Sequence, residues 1–223
     1  MTLHYTTTEW NRKKVIVGES ELKSDQPPRL LIGFHGADST PENMLVHGNK
    51  LKLNNTLYVY PEGPADAGDG LWSWWKDGPR QSHAVKGFLE YTAEIVDEAH
   101  HFLKDKTDHA PQVCMWGFSQ GGAAALVYSL LGSHTLHKVA SVCGFLPEIP
   151  EDVPNQIHNT SILGIYGLND EAIPSFLAEY ALEELEGQGH HLTKKGTPQG
   201  HEVNASNITD LIEFFESEDS LPE

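Results

Sequence analysis

Residues 113–122 carry the most informative pattern in this chain and read Val-Cys-Met-Trp-Gly-Phe-Ser-Gln-Gly-Gly. Residues 113–116 are apolar, as expected for a buried strand, and the apolar run 121–131 predicts a helix that ends at Gly132. Between them lies a Gly-x-Ser-x-Gly pattern centred on Ser119. In a sharp strand-to-helix turn, small neighbours allow such a serine to stand above the sheet. The stretch therefore predicts a nucleophilic serine, the alternative being a serine that only caps the helix.

Short apolar runs alternate with longer helical patterns along the rest of the chain. We predict strands at residues 13–17, 29–34, 56–60, 113–116, 139–143, 161–166 and 190–194, and helices at 41–51, 84–104, 121–131, 174–186 and 207–215. This alternation is typical of α/β proteins with a mostly parallel, doubly wound sheet that is flanked by helices. Connections are short and the composition does not change along the chain, so we predict one domain over residues 1–223. Residues 217–223 should form a flexible acidic tail.

The composition limits the partners that this chain can have. It contains 32 Asp and Glu against 15 Lys and Arg, a formal charge of -17. Nucleic-acid binding and docking on an anionic membrane surface both depend on excess Lys and Arg, so we expect neither. No apolar run approaches the length of a membrane helix, and the first ten residues do not resemble a signal peptide. Cys114 and Cys143 lie in apolar runs and are interpreted as buried thiols, so we expect a cytoplasmic protein.

A serine nucleophile needs a base, and the base needs an acid that orients it. His201 lies in a loop between the last predicted strand and the last helix, where an imidazole can reach Ser119. His190 and His191 also occur late in the chain, but they fall in the strand and are interpreted as structural. Asp170 follows the strand 161–166 after a tight turn and is the predicted acid. Asp152 is the alternative, although its Pro-rich acidic surroundings favour a solvated turn.

Two backbone N–H groups are expected to stabilise the negative charge that develops on a substrate carbonyl oxygen. The N–H of Gln120, the residue after the nucleophile, is one candidate. The loop after the strand 29–34 begins with His35 and Gly36, and the Ala37 N–H is the second candidate. His35 itself is interpreted as a structural hydrogen-bonding residue rather than a second base.

Several motifs together resemble one known family. They are His35-Gly36, Gly-Phe-Ser-Gln-Gly-Gly at 117–122, Gly-Phe-Leu-Pro at 144–147, Tyr-Gly-Leu-Asn-Asp-Glu-Ala-Ile-Pro at 166–174, and the late His201. Over residues 28–216 the chain resembles the phospholipase/carboxylesterase family, which has the α/β-hydrolase fold and includes acyl-protein thioesterases. The resemblance implies a Ser119–Asp170–His201 triad with oxyanion donors at Ala37 and Gln120. The family usually reads His-Gly-Leu-Gly-Asp where this chain has His-Gly-Ala-Asp-Ser at 35–39. The late histidine of the family usually follows a short Gly-x-x-His turn, whereas the segment 196–200 before His201 is longer or differently spaced.

A tryptophan-rich segment follows a Gly- and Asp-rich stretch that is predicted to be a loop. It contains Trp72, Trp74 and Trp75, and the family has a similar Ser-Trp-Phe element near its active site. We predict that Trp74, with Leu146, forms a wall of the substrate pocket, to which Trp72 or Trp75 could contribute. The equal alternative is that the tryptophans belong to the core.

No cofactor signature accompanies the predicted serine site. His201-Glu202 begins a zinc-protease pattern, but Ala205 stands where the second histidine would be. Asp97 and His101 lie one helical turn apart and are interpreted as a surface pair. We therefore expect no metal and no organic cofactor.

These patterns predict a serine hydrolase that cleaves carboxylic esters or thioesters through an acyl-enzyme. Its expected partner is a small ester or thioester, without nucleic acid or membrane insertion, and we expect a monomer or weak homodimer. A dienelactone-hydrolase-like enzyme is one alternative, although those enzymes carry Cys where this chain has Ser119. A non-catalytic binding protein with the same fold is the alternative from another class.

Overall fold

The computed structural model describes residues 3–78, 81–155 and 159–217, so most of the predicted acidic tail lies outside the described residues. Its strands are β1 (His4–Trp10), β2 (Lys13–Glu19), β3 (Arg29–Phe34), β4 (Thr56–Pro61), β5 (Ala65–Gly68), β6 (Leu71–Ser73), β7 (Gln112–Phe118), β8 (Lys138–Val142), β9 (Ser161–Gly167) and β10 (His191–Thr197). Its helices are α1 (Pro41–Gly48), α2 (Gln81–Lys104), α3 (Gln120–Leu131), α4 (Ser175–Gly187) and α5 (Ala205–Glu216).

Eight of these strands form one sheet in the order β1-β2-β4-β3-β7-β8-β9-β10. The pairs from β4 to β10 are parallel, and β2 pairs antiparallel with β1 and β4. The central strands β3, β7 and β8 are almost wholly buried because helices cover both of their faces. The predicted α/β class with a mostly parallel, doubly wound sheet is therefore confirmed.

The two faces of the sheet carry different helices. One core cluster joins the sheet to α2, α3 and α4 and contains Trp74, Trp75 and Phe88. The other joins it to α1 and α5 and contains Met44 and Phe215. No separate cap domain occurs among the described residues. The parallel strands β3, β7, β8 and β9 have their carboxyl ends at the same edge of the sheet.

Strand β1 and the hairpin of β5 and β6 were not predicted from the sequence. Strand β1 is a polar edge strand that pairs with β2 through a turn at Asn11 and Arg12, which have φ values of 48° and 61°. Strands β5 and β6 form a hairpin inside the predicted loop, with Gly68 at φ 89°. Both lack a long apolar run because little of either strand is buried, so hydrophobic patterning could not indicate them.

Some boundaries also differ from the prediction. Helix α1 ends at Gly48 rather than near residue 51, and Leu51 and Leu53 are buried in the connection to β4. Strand β10 extends to Thr197, beyond the predicted end at residue 194. Its residues are mostly exposed and polar, so no apolar pattern indicates this extension. Within the described part of the chain, none of the helices combines the length and apolar character that a membrane span requires.

Candidate active site

Ser119 occupies the turn between β7 and α3 in a conformation that few residues adopt. Its φ is 57° and its ψ is -123°, and its N–H donates to the Val142 carbonyl at 2.9 Å. A Cβ at Gly117 would overlap the carbonyl of Gly121, and a Cβ at Gly121 would overlap that of Phe34. The glycines thus let the turn lie against β3, and the strained turn lifts Ser119 above the sheet.

One imidazole links Ser119 to the carboxylate of Asp170. His201 Nε2 lies 2.9 Å from Ser119 Oγ, and His201 Nδ1 lies 2.8 Å from Asp170 Oδ2. With Nδ1 protonated, the ring donates to Asp170 and leaves Nε2 free to accept a proton from the serine hydroxyl. The arrangement can therefore activate the hydroxyl as a nucleophile.

Asp170 is held by backbone donors as well as by the imidazole. Its Oδ1 accepts the N–H groups of Ala172 and Ile173 at 2.9 and 2.8 Å. Burial raises the pKa of this carboxyl, but the hydrogen bonds from Ile173 and His201 outweigh burial, so its pKa lies below the usual value. Asp170 therefore stays ionised and can stabilise a positive charge on His201.

The alternative acid and bases lie elsewhere. Asp152 is exposed and pairs with Lys86. His191 is the first residue of β10 and His190 directly precedes it, whereas His201 follows the end of that strand. Since β10 has seven residues, about 20 Å of extended chain separates the two ends.

The loop that carries His201 is fixed by Gln199, a residue that the sequence analysis did not single out. Its buried side chain donates from Nε2 to the Glu202 carbonyl at 2.9 Å. Its Oε1 accepts from the side-chain amides of Asn204 and Asn207, both at 2.9 Å. Gln199 therefore ties the histidine loop to the first turn of α5. A buried glutamine beside a proposed base offers no sequence pattern that could have indicated this role.

Cys143 lies beneath the same loop, just after β8, with a φ of 51°. Its Sγ lies 3.9 Å from the Gly200 carbonyl and 4.0 Å from that of Glu202, on either side of His201. Burial and the nearby Asp170 raise the pKa of this thiol to about 11, so it is protonated at neutral pH. Cys143 is buried as predicted, and its thiol lies against the loop of His201 and near Asp170.

Cys143, Asp170 and His201 also present ligand atoms within 4.8 Å of one another. A soft divalent cation could in principle use sulfur, carboxylate and imidazole ligands. The carboxylate and imidazole already hydrogen-bond to each other, however, and the thiol is protonated. This donor set is therefore better suited to orienting His201 than to holding a cation.

The loop after β3 lies directly beside Ser119. A Cβ built on Gly36 would lie only 3.7 Å from Ser119 Cβ, and Ala37 lines the same cavity as Ser119. Gln120 begins α3, where the first N–H groups lack partners within the helix and form the positive end of the helix dipole. The two segments that carry the candidate N–H donors therefore both lie next to Ser119.

His35 supports this loop from below. Its Nδ1 donates to the Gly36 carbonyl at 2.7 Å, and its Nε2 accepts the Gly63 N–H at 3.1 Å. Burial lowers the pKa of His35 to about 4, so the ring is neutral at pH 7. Both ring nitrogens are thus occupied in a neutral, structural imidazole.

The tryptophan-rich segment forms hydrogen bonds with both the loop after β3 and the start of α3. Main-chain hydrogen bonds join Trp72 to Ser39, with distances of 2.9 and 3.0 Å. The Gln120 side chain accepts the Trp74 N–H at 2.9 Å and donates to the Trp75 carbonyl at 3.1 Å. The segment therefore holds the loop after β3 in register with the start of α3.

The structure places Trp74 in the core instead of in a pocket wall. Its indole is 1% exposed, donates to the His35 carbonyl at 2.7 Å, and packs edge-on against Phe34 with ring centroids 4.8 Å apart. Leu146 is partly buried against the same core and does not line the cavity that contains Ser119. Trp75 instead borders a neighbouring cavity beside Gln120.

Two cavities meet at the loop after β3. The α1 cavity, of about 340 Å³, is lined by Asn43, Met44 and His47 from α1 and by Phe118, Ser119 and His201. The hairpin cavity, of about 310 Å³, is lined by Ala67, Ser73, Trp75, Lys76, Asp77 and Gln120. Ser119 itself lines the α1 cavity, whereas Ala37 and Asp38 border both spaces.

The sheet order and the strained turn from β7 to α3 that carries Ser119, called the elbow below, are typical of the α/β-hydrolase fold. The family model described as Phospholipase/Carboxylesterase matches residues 18–218. The chain belongs to this family and is an esterase-type hydrolase, as the sequence resemblance predicts.

Solved structures with similar folds include two carboxylesterases. The carboxylesterase from Mesorhizobium loti has 14% sequence identity and a TM-score of 0.77, covering 95% of this chain and 98% of that chain. The carboxylesterase from Bacillus cereus has 15% identity and a TM-score of 0.76, covering 92% of this chain and 94% of that one.

SOBER1 of Arabidopsis thaliana is also similar, with 23% identity and a TM-score of 0.68 over 85% of this chain and 98% of that chain. At these identities the likeness establishes the fold. No curated protein gives a sequence match to this chain.

Proposed function

We propose that this protein hydrolyses small carboxylic esters or thioesters, with Ser119 as nucleophile, His201 as general base and acid, and Asp170 as the orienting acid. The observation that carries this proposal is the continuous hydrogen-bonded chain from Ser119 Oγ through His201 to Asp170. Membership of the family supports the same reaction class.

In the proposed reaction, Ser119 Oγ attacks the carbonyl carbon while its proton moves to His201 Nε2. The carbonyl π electrons move to oxygen, and the backbone N–H groups of Gln120 and Ala37 stabilise the resulting oxyanion. His201 then gives the proton to the departing oxygen or sulfur as its bond to carbon breaks. Water attacks the acyl-enzyme with His201 again acting as base, which releases the carboxylic acid and restores Ser119.

Asp170 contributes without changing its own protonation state. Its carboxylate accepts the Nδ1–H of His201, which keeps Nε2 directed at the serine and stabilises the imidazolium that forms during each step. Its lowered pKa is consistent with this role, because a neutral carboxyl could not stabilise that charge.

A cytoplasmic location, a one-domain organisation and a monomeric or weakly dimeric state remain predictions from the sequence. The hairpin and α1 cavities have volumes of about 310 and 340 Å³, which are sufficient for the groups of a small ester.

The decisive test compares Ser119→Ala with Ser39→Ala, a control that removes another hydroxyl from the same cavity. We expect hydrolysis of p-nitrophenyl acetate to fall by roughly 10⁴-fold or more in Ser119→Ala and to stay within a few fold of wild type in Ser39→Ala. An acetyl thioester measured beside the ester reports which leaving atom is preferred.

A fluorophosphonate probe separates the enzyme from a binding protein with the same fold, because the probe reacts with an activated serine. It should label wild type and Ser39→Ala but not Ser119→Ala. Unlabelled wild type, or a Ser119→Ala variant with wild-type turnover, would contradict the proposed mechanism.

A further inference from the structure

The buried side chain of Gln199 uses its full hydrogen-bonding capacity. Its Nε2 donates to the Glu202 carbonyl at 2.9 Å and to Cys143 Sγ at 3.9 Å. Its Oε1 accepts from the side-chain amides of Asn204 and Asn207, both at 2.9 Å. A primary amide has two N–H donors and two oxygen lone pairs, so all four are used within the fold. The side chain at position 199 must therefore both donate and accept.

The main chain of the same residue contacts the turn that leads from β9 to Asp170. The Gln199 carbonyl accepts the N–H of Asn169, the residue directly before Asp170, at 3.1 Å. The approach is so close that a Cβ on Gly167 would lie 2.4 Å from this carbonyl oxygen. Gln199 thus contacts the turn of the proposed acid through its carbonyl and the loop of the proposed base through its side chain.

The bonds of the side chain hold the loop of the base at both of its ends. The bond to the Glu202 carbonyl closes the short loop 199–202 that carries His201. Asn204 and Asn207 form the capping box that begins α5, so their bonds to the glutamine oxygen join this loop to a fixed helix end. A satisfied buried network of this kind restricts the positions that the imidazole can take.

We propose that Gln199 is a positioning residue, which sets the separation between His201 and Asp170 and directs His201 Nε2 towards Ser119. This inference rests on the proposed function, in which these three residues form the triad. Gln199 does not line the cavity that contains Ser119, so it acts through the imidazole and not on the substrate. Proton transfer depends on the 2.9 Å contact between His201 Nε2 and Ser119 Oγ, and a displacement of about 1 Å can cost roughly 100-fold in rate.

Methionine at position 199 would preserve the length of the side chain and remove its amide. Gln199→Met would leave the Glu202 carbonyl and the amides of Asn204 and Asn207 without this partner inside the fold. The loop 199–202 would then be free to move away from the turn of Asp170. The expected result is a less precisely placed base in a pocket whose lining is unchanged.

Two further variants complete the test. Asn204→Ser keeps an oxygen that can cap α5 but removes one donor to Gln199, so it weakens the network without abolishing it. Thr160→Val is the matched control, because it removes a buried hydrogen bond to the Leu136 carbonyl. Thr160 directly precedes β9, at the end of that strand opposite to the turn of Asp170.

The measurement is kcat and KM for p-nitrophenyl acetate, expressed per serine that a fluorophosphonate labels at completion, so that unfolded protein does not contribute. We expect kcat to fall roughly 10–100-fold in Gln199→Met and about 2–5-fold in Asn204→Ser, with KM within about twofold of wild type in both. The rate of fluorophosphonate labelling should fall in parallel, because it depends on the same activation of Ser119. Thr160→Val should keep the kcat and the labelling rate of wild type.

A Gln199→Met variant that keeps wild-type kcat, or that changes KM in place of kcat, would overturn this inference and leave the proposed function intact. An equal loss of kcat in Thr160→Val would overturn it as well, because the loss would not be specific to the loop of His201. If Gln199→Met does not fold, Asn204→Ser decides, and an unchanged kcat in that variant overturns the inference. Wild type that shows neither turnover nor labelling would overturn the proposed function and this inference together.

Discussion

Ser119, His201 and Asp170 are positioned by neighbours that have no proposed chemical role. Gln199 fixes the histidine loop, Cys143 packs against both sides of it, and the two backbone donors from Ala172 and Ile173 orient the carboxylate. A strained serine conformation is maintained by the close packing of the surrounding backbone. The relative positions of the three side chains thus depend on buried polar groups whose hydrogen bonds are satisfied within the fold.

His35 should make the stability of the protein depend on pH. Its pKa is about 4 in the folded protein and about 6.5 in an unfolded chain, so only the unfolded chain binds this proton between those values. The contribution of neutral His35 is therefore fully present above pH 6.5 and is lost as the pH falls towards 4. Over that interval it amounts to about 3 kcal/mol in the free energy of unfolding.

Urea unfolding of wild type and His35→Gln at several pH values measures this contribution. The variant should be less stable at pH 7, and its deficit should shrink as the pH approaches 4. A deficit that is constant over this interval would show that the titration of His35 does not contribute.

The elements around the site meet through backbone contacts, and the elbow is the clearest case. Helix α3 begins so close to β3 that Gly121 has no room for a side chain, because a Cβ would overlap the carbonyls of Phe34 and His35. The segment from Trp72 to Trp75 then joins the loop after β3 to the start of α3. The two proposed oxyanion donors are therefore held on one connected framework.

Substitution of Gly121 by Ala should damage both the stability of this framework and the activity. We expect a loss of about 2–3 kcal/mol in the free energy of unfolding, because the neighbouring backbone must move. Gly87→Ala in α2 is the matched control, since a Cβ there meets no atom within 4 Å.

Gly87→Ala should raise the free energy of unfolding by about 0.5–1 kcal/mol through helix propensity, with unchanged turnover. Denaturant unfolding and ester hydrolysis measure both variants. Equal effects of the two substitutions would contradict the steric explanation for Gly121.

At the scale of the whole molecule, the formal charge of -17 should influence which substrates reach the site. The field of many acidic groups repels anionic ligands over a distance set by the ionic strength. We expect kcat/KM for a monoester of succinic acid to be roughly 2–10-fold lower than for an uncharged ester of similar size at low salt.

Added sodium chloride should reduce this difference, since the Debye length falls from about 30 Å at 0.01 M to about 3 Å at 1 M. The uncharged ester is the control for direct effects of salt on the enzyme. A difference that does not change with salt would indicate local contacts in the hairpin cavity, where Lys76 and Asp77 lie, rather than long-range repulsion.

From chain order, the sequence predicted Asp170 and His201 as partners of Ser119, and from local patterns it predicted the alternation of strands and helices and the turn that carries Ser119. The latter features are local: buried strands read as apolar runs, and the glycines around Ser119 are required by the turn that contains them. It could not indicate β1 or the β5–β6 hairpin, because polar and exposed strands leave no apolar pattern.

The surroundings of the three residues follow from long-range packing. Ser119 and His201 are 82 positions apart, and the path of the chain through the sheet brings them to 2.9 Å. The same path buries Trp74 in the core, places Cys143 and Gln199 against the histidine loop, and divides the space beside Ser119 into two cavities. These features depend on packing between segments distant in sequence, and a local pattern of residue types carries no information about such distances.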